Sequence, residues 1–214
     1  LTLTTTIIIF LFYKSYSLIG IAGILLGFWI IFSNLENLIQ KIATKYNYKK
    51  LLNSINFYSS MGMVIAHLGV GFLILGITGS SVWQKEKILQ MQVNDNIVVN
   101  KNKITFESIN ELKGPNYLAI QGTFLIYNSK NKLITKLKPE KRYYPITNNF
   151  TSEVSIHTNL ARDLYLVLGE GNLNAGWVVK IYYNPLVLWI WIGSLTIFFG
   201  GIISLLANSK KINT

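Results

Sequence analysis

Residues 60–80 read SMGMVIAHLGVGFLILGITGS, an apolar run whose only ionisable side chain is His67. As a helix, a run of this length crosses the roughly 30 Å hydrocarbon core of a bilayer. The run constrains everything around it, because the flanking segments must be divided between the two sides of a membrane. A titratable group at that depth is costly and faces protein or a cofactor rather than lipid. From the residues alone, two readings of His67 stand side by side. One is a hydrogen-bonded packing residue. The other is an axial ligand of haem iron, a standard role for imidazole.

Three further stretches are apolar: residues 1–12, 18–32 and 185–207. The expected fold class is an integral membrane α-helical protein with about four transmembrane helices and an exposed all-β, sandwich- or barrel-like domain between the last two. Half of the 214 residues are hydrophobic and the mean hydropathy is +0.36, which fits this class. The first stretch does not read as a signal peptide, since no basic segment precedes it and no small-residue cleavage site follows. Cysteine is absent, which excludes disulfides, zinc fingers and thiol chemistry of the chain's own. The net charge of +11 suits either nucleic acid or a membrane surface. Lysine clusters flank the apolar segments, and the many lysines within residues 82–184 lie in a long loop, which translocates largely regardless of charge, so membrane lipid is the expected partner and nucleic acid is not.

Charge also sets the expected orientation. Lys41, Lys45, Lys49 and Lys50 lie between the second and third stretches, and Lys210 and Lys211 follow the fourth. By the positive-inside rule both groups belong on the cytoplasmic or matrix side. The domain between the last two helices then lies on the opposite side. Tyr182, Tyr183, Trp189 and Trp191 cluster at its re-entry, and Trp83 stands at the matching exit, as interfacial aromatic belts do. Within residues 34–50, Leu35, Leu38, Ile39 and Ile42 have helical spacing. That suits a helix on the membrane surface or an ordinary connecting helix. The expected division is two N-terminal helices (1–32), a linker (33–59), the His-bearing helix (60–81), the β domain (82–184), a C-terminal helix (185–208) and a basic tail (209–214).

Within the β domain, candidate strands are residues 88–93, 103–109, 117–127, 133–137, 151–157, 163–168 and 177–183. Asn128 to Asn131 reads as a turn joining two of them. No nucleophile elbow and no zinc-binding H-E-x-x-H is present. Glu153 and Asp163 have no evident acid–base partner. Gly169-Glu170-Gly171 reads as a turn rather than a phosphate loop, and His157 as a solvent-facing strand residue rather than a ligand.

Three stretches together carry a resemblance. Residues 66–81 (AHLGVGFLILGITGSS) place His67 on a helix just before the β domain. Next come Lys138-Pro139-Glu140-Lys141-Arg142-Tyr143, then Ser152-Glu153-Val154, then residues 162–170 (RDLYLVLGE). Last are residues 182–194 (YYNPLVLWIWIGS), closed by Gly200-Gly201. In order and spacing, over roughly residues 60–207, the chain resembles the C-terminal part of the CcmF-type cytochrome c haem lyases of cytochrome c maturation. Full-length family members also carry a tryptophan-rich, haem-handling loop flanked by two histidines, which nothing here matches. The chain therefore looks like the C-terminal piece of a split protein, similar to the split mitochondrial form. Its heavy use of Ile, Asn, Lys, Tyr and Leu fits an AT-rich genome.

The resemblance implies that His67 is one of two axial ligands of a haem b within the membrane. The second ligand comes from another helix. The only other histidine here is His157, outside the membrane, so a partner chain must supply it. Gly71 and Met63 lie one helical turn either side of His67, and both are expected as haem-face neighbours. Gly62, Ala66, Gly69 and Gly76 cluster on roughly the opposite face, where small residues admit another helix. Further implied partners are other chains of the split lyase with the tryptophan-rich loop, a haem chaperone and apocytochrome c. The activity implied is that of a multi-chain haem lyase, with this chain inactive alone. The location implied is the mitochondrial inner membrane with the β domain in the intermembrane space, or in bacteria the inner membrane with a periplasmic domain. Lys141 and Arg142 read as solvated surface, with haem propionates or an acidic partner as the sharper alternative. The competing reading of the whole chain is a non-catalytic structural or assembly subunit of a larger respiratory complex. A transporter is disfavoured, because one His and no acidic residue in the spans make a poor relay.

Overall fold

Unbroken apolar sequence becomes three long helices: α1 (Leu18–Ala43), α2 (Ile55–Val82) and α3 (Val187–Ile212). Each contains a segment long and apolar enough to cross a membrane, namely Leu18–Gln40, Tyr58–Val82 and Val187–Ala207. A helix satisfies all its backbone polar groups internally, which hydrocarbon demands. The computed structural model describes residues 17–43 and 55–212, so the expected helix over residues 1–12 lies outside them. α1 does not stop near residue 32. It continues unbroken to Ala43, past Leu35, Leu38, Ile39 and Ile42 of the amphipathic stretch, and Lys45, Lys49 and Lys50 again fall outside the described residues. Ser17 caps α1, its hydroxyl accepting the Gly20 N–H at 3.2 Å.

The helices form one unit and residues 84–184 another. In the helical unit α2 packs between α1 and α3. Small residues set the α2–α3 contact: a Cβ at Gly69 would come within 2.7 Å of the Gly193 carbonyl oxygen and the Ile197 nitrogen. Gly62 and Ala66 meet Gly200, and Gly76 meets Ile190. Phe72 and Trp189 close the seam edge to face, with centroids 5.4 Å apart. The face expected from sequence to admit another helix is therefore the α3 interface. On the other side Ile24, Ile31 and Leu75 form a small core with Trp83. Trp83 is only 7% exposed, so it serves packing against α1 rather than an interfacial belt, whereas Trp191 is 66% exposed.

The β unit has ten strands: β1 (Lys85–Met91), β2 (Asn96–Val99), β3 (Asn102–Lys113), β4 (Leu118–Tyr127), β5 (Leu133–Leu137), β6 (Glu140–Tyr144), β7 (Asn149–Glu153), β8 (Ser155–Thr158), β9 (Arg162–Asn172) and β10 (Gly176–Pro185). They form a four-stranded sheet in the order β1-β10-β9-β8 and a six-stranded sheet in the order β2-β3-β4-β6-β7, with β5 beside β4. The two inner faces make a sandwich core. Met91, Leu164, Leu166, Leu168, Val179 and Ile181 come from the smaller sheet, and Val99, Ile104, Phe106, Phe124, Ile126 and Leu137 from the larger. Phe106 and Phe124 stack at 4.5 Å in its middle. Alternation along β9, with every second residue from Arg162 to Leu168 buried, is the period-2 pattern of a strand with one covered face.

Two sequence expectations change here. Gly169-Glu170-Gly171 is not a turn but the continuation of β9, and a Cβ at Gly171 would collide with the Gly176 carbonyl on β10. The stretch 151–157 is not one strand. The chain breaks at Val154 and passes from the six-stranded to the four-stranded sheet, β7 pairing β6 and β8 pairing β9. The Asn128–Asn131 turn forms as expected. The Asn128 side-chain oxygen accepts from the Lys130 and Lys132 N–H groups at 2.9 Å each, and Asn131 takes a left-handed φ of 55°.

Candidate functional site

With α1 and α3 on two sides of α2, one stripe of that helix is left uncovered by the described residues, and His67 lies on it. Its side chain is exposed and has no hydrogen-bond partner among the described residues. Met63, one turn away, is 47% exposed on the same stripe. Gly71 is different. A Cβ there would lie 2.5 Å from Ile31 Cγ1 and 3.1 Å from the Gly27 carbonyl oxygen, so α1 packs directly against it. The open side of the imidazole is the Met63 side. A free imidazole on an uncovered helix face fits an axial haem ligand, and it fits less well a histidine serving to pack these helices together. Among the described residues no group of three or more His, Cys, Asp or Glu gathers, and no second histidine lies in the helices.

In the β unit the charged motif residues divide by strand face. Arg142 on β6 donates to Glu140 at 2.8 Å and pairs with Glu153 across the strands at 3.6 Å. Its guanidinium lies 4.4 Å from the Tyr117 ring centroid. Gln121 completes the cluster, donating to Glu140 at 2.7 Å. Donating to the Glu140 carboxylate makes Arg142 hold its proton more tightly than usual. The Glu140–Arg142–Glu153 set thus ties β4, β6 and β7 together, and Glu153 has a structural partner that sequence did not reveal. Lys141 points to the other face.

A second cluster was not anticipated. Arg162 continues the buried side of β9 below Leu164 and is 6% exposed. One nitrogen donates to Asn102 at 3.3 Å, and the Tyr183 ring lies 5.7 Å away. Its Nη1 has no partner among the described residues. Burial lowers its pKa, as it must for a charge withdrawn from water. His157 on β8 stands opposite Leu164, so it faces inward and is half-buried rather than solvent-facing. Its Nδ1 is buried without a partner among the described residues, and desolvation, then the nearby Arg162 charge, pushes its pKa below 6.5. The signal for Arg162 was legible: it occupies the inward phase of an alternating R-x-L-x-L-x-L strand.

A helical unit with an uncovered histidine stripe, carrying an inserted ten-stranded sandwich, defines a membrane-anchored β-sandwich protein. Residues 82–185 match the family model described as the CcmF C-terminal beta-sandwich. The CcmF cytochrome c-type biogenesis protein of Escherichia coli is 36% identical over 148 residues, covering 69% of this chain and 23% of the relative. That of Pseudomonas fluorescens is 30% identical over 200 residues, covering 94% and 30%. A solved structure titled cytochrome c heme lyase CcmF superposes with a TM-score of 0.69 at 15% identity, covering 95% of this chain and 33% of that one. The chain belongs to the CcmF family of cytochrome c biogenesis membrane proteins and corresponds to its C-terminal part. It spans less than a third of the length of these two curated relatives.

Proposed function

We propose that this chain is the C-terminal portion of a cytochrome c maturation haem lyase, and that His67 supplies one of two axial ligands to a haem b in the membrane. The observation that carries this reading is the free imidazole on the uncovered stripe of α2. Met63 is its neighbour on that stripe, and Gly71 contributes indirectly, by letting α1 seat closely against α2. Bound there, a haem b would provide one-electron redox chemistry, and His67 would be the residue of this chain that holds it. The chain's own part is to hold the imidazole, to seal two sides of α2 with α1 and α3, and to carry the β unit. The second histidine and the tryptophan-rich loop come from the remaining part of the lyase, which receives haem from a chaperone and presents it to apocytochrome c. The location that fits is the mitochondrial inner membrane with the β unit in the intermembrane space. Its support is the AT-rich style of composition and the lysines at or past the C-terminal ends of α1 and α3 in sequence. The bacterial counterpart is the inner membrane.

The test is to replace His67 with Ala, purify the assembly and record its reduced spectrum. Loss of the b-type absorbance is expected, with the remaining lyase chains still copurifying. An unchanged absorbance sinks the ligand role. A stoichiometric place in an oxidase or dehydrogenase, without lyase partners, favours the structural-subunit reading instead.

A further inference from the structure

The six-stranded sheet outruns the sheet that covers it. Along the inward face of β4, Ile126 and Phe124 are fully buried, Ile120 is partly exposed and Leu118 is 49% exposed. Cross-strand register puts Lys113 and Tyr143 beside Leu118, and Lys141 beside Ile120. Phe150 on β7 flanks Tyr143, with ring centroids 4.8 Å apart. These side chains line an open groove of about 420 Å³. Glu111 is the one carboxylate in its lining. The volume lies in the range of small-molecule sites, which are mostly apolar with a few placed polar groups.

The lysines are the placed groups. Lys141 has only 18% of its side chain exposed, yet its single ion pair, to Glu170, spans 3.9 Å, and that carboxylate is 90% exposed. Such a pair is screened by water and worth little. Lys113 has no ion pair among the described residues. Arg142, one residue from Lys141 but on the opposite face, is by contrast held by two carboxylates. The sheet thus pairs its cation with two carboxylates on one face; on the other, around an apolar floor, Lys141 has the screened Glu170 pair and the Phe150 ring 5.7 Å from its Nζ, and Lys113 has no carboxylate paired to it among the described residues. We propose that this groove binds an amphipathic anion, with the apolar body on Leu118, Ile120 and Phe150 and the anionic head between Lys113 and Lys141. A purely apolar ligand leaves the two lysines unused, and a small hydrophilic anion leaves the floor exposed. His67 plays no part in this site, so the outcome here and the haem spectrum are independent.

Lysine footprinting tests it on the full chain in phosphatidylcholine nanodiscs. Amines are acetylated briefly and modified sites read by mass spectrometry, with Lys130 and Lys132 in the β4–β5 turn as internal references. Laurate is the soluble probe, dodecyltrimethylammonium its cationic counterpart, and discs containing phosphatidylglycerol supply the same chemistry from the bilayer. Laurate, phosphatidylglycerol or both are expected to slow modification of Lys113 and Lys141 by about threefold or more, as occupancy near saturation requires. Which of the two protects identifies the source. Leu118→Glu, at a half-exposed position that leaves the core intact, is expected to abolish protection, with an unchanged circular dichroism melt as the folding control. Protection by neither anion overturns the site. So does equal protection by the cationic amphiphile, or protection that survives in Leu118→Glu.

Discussion

Strand phase decides what a charged side chain can do. Lys141 and Arg142 are neighbours in sequence, but β6 sends one to the groove and the other to Glu140 and Glu153. A sequence reading that treats both as solvated surface misses this, because period-2 alternation only becomes informative once a strand is recognised, and Glu140–Tyr144 carries almost no apolar signal. His157 went astray in the same way: the break at Val154 resets the phase, and the histidine turns inward. Its depressed pKa has a consequence with a definite sign. Well above pH 6.5 the histidine is neutral both folded and unfolded, and its environment adds no pH-dependent cost. As pH falls below that value the unfolded chain takes up the proton first, so stability is lost through the window down to the lower folded pKa. The thermal midpoint of the β unit should therefore fall between neutral pH and about pH 5, and His157→Asn should flatten that decline. An identical slope in wild type and variant would show that the histidine is not the titrating group. His67, by contrast, was legible at once, since an imidazole in an apolar run is rare enough to read from the letters alone.

Among the elements, helices were easier to find than to bound. The apolar runs locate α1, α2 and α3, yet α1 runs past residue 32 because the following amphipathic stretch continues the same helical spacing. The small residues of α2 were correctly read as a packing face. Their partner was not, since no rule in the letters selects α3 over α1. The close approach at Gly69 makes a sharp prediction. Gly69→Val inserts bulk against the Gly193 carbonyl and Ile197, and should lower the stability of the helical unit by roughly 1–3 kcal/mol. Met63→Leu, on the uncovered stripe, should be near neutral. An SDS-unfolding midpoint followed by circular dichroism separates the two, and equal midpoints would argue against the packing. Among strands, β5 was located to the residue, whereas β2 was missed because four residues hardly establish a period.

Across the whole molecule, the class of fold followed from the arrangement of apolar runs around a strand-rich insert, and the matched β-sandwich bears this out. Strand order did not follow, because pairings such as β1 with β10 join residues far apart in the chain and depend on which faces fit. That same separation matters for how the protein is made. α2 ends at Val82 and α3 begins at Val187, with the whole β unit between them. At roughly 5–20 residues per second, the glycine seam of α2 waits about 5–20 seconds in the bilayer before its mate is synthesised. Pulse-chase of chains truncated before residue 187 should show them degraded several-fold faster than the full chain, with equal half-lives as the contrary result. The seam thus acts as a clock as well as a joint: until the last helix arrives, the histidine-bearing helix is half-clad, and assembly with anything else has a natural order imposed by translation.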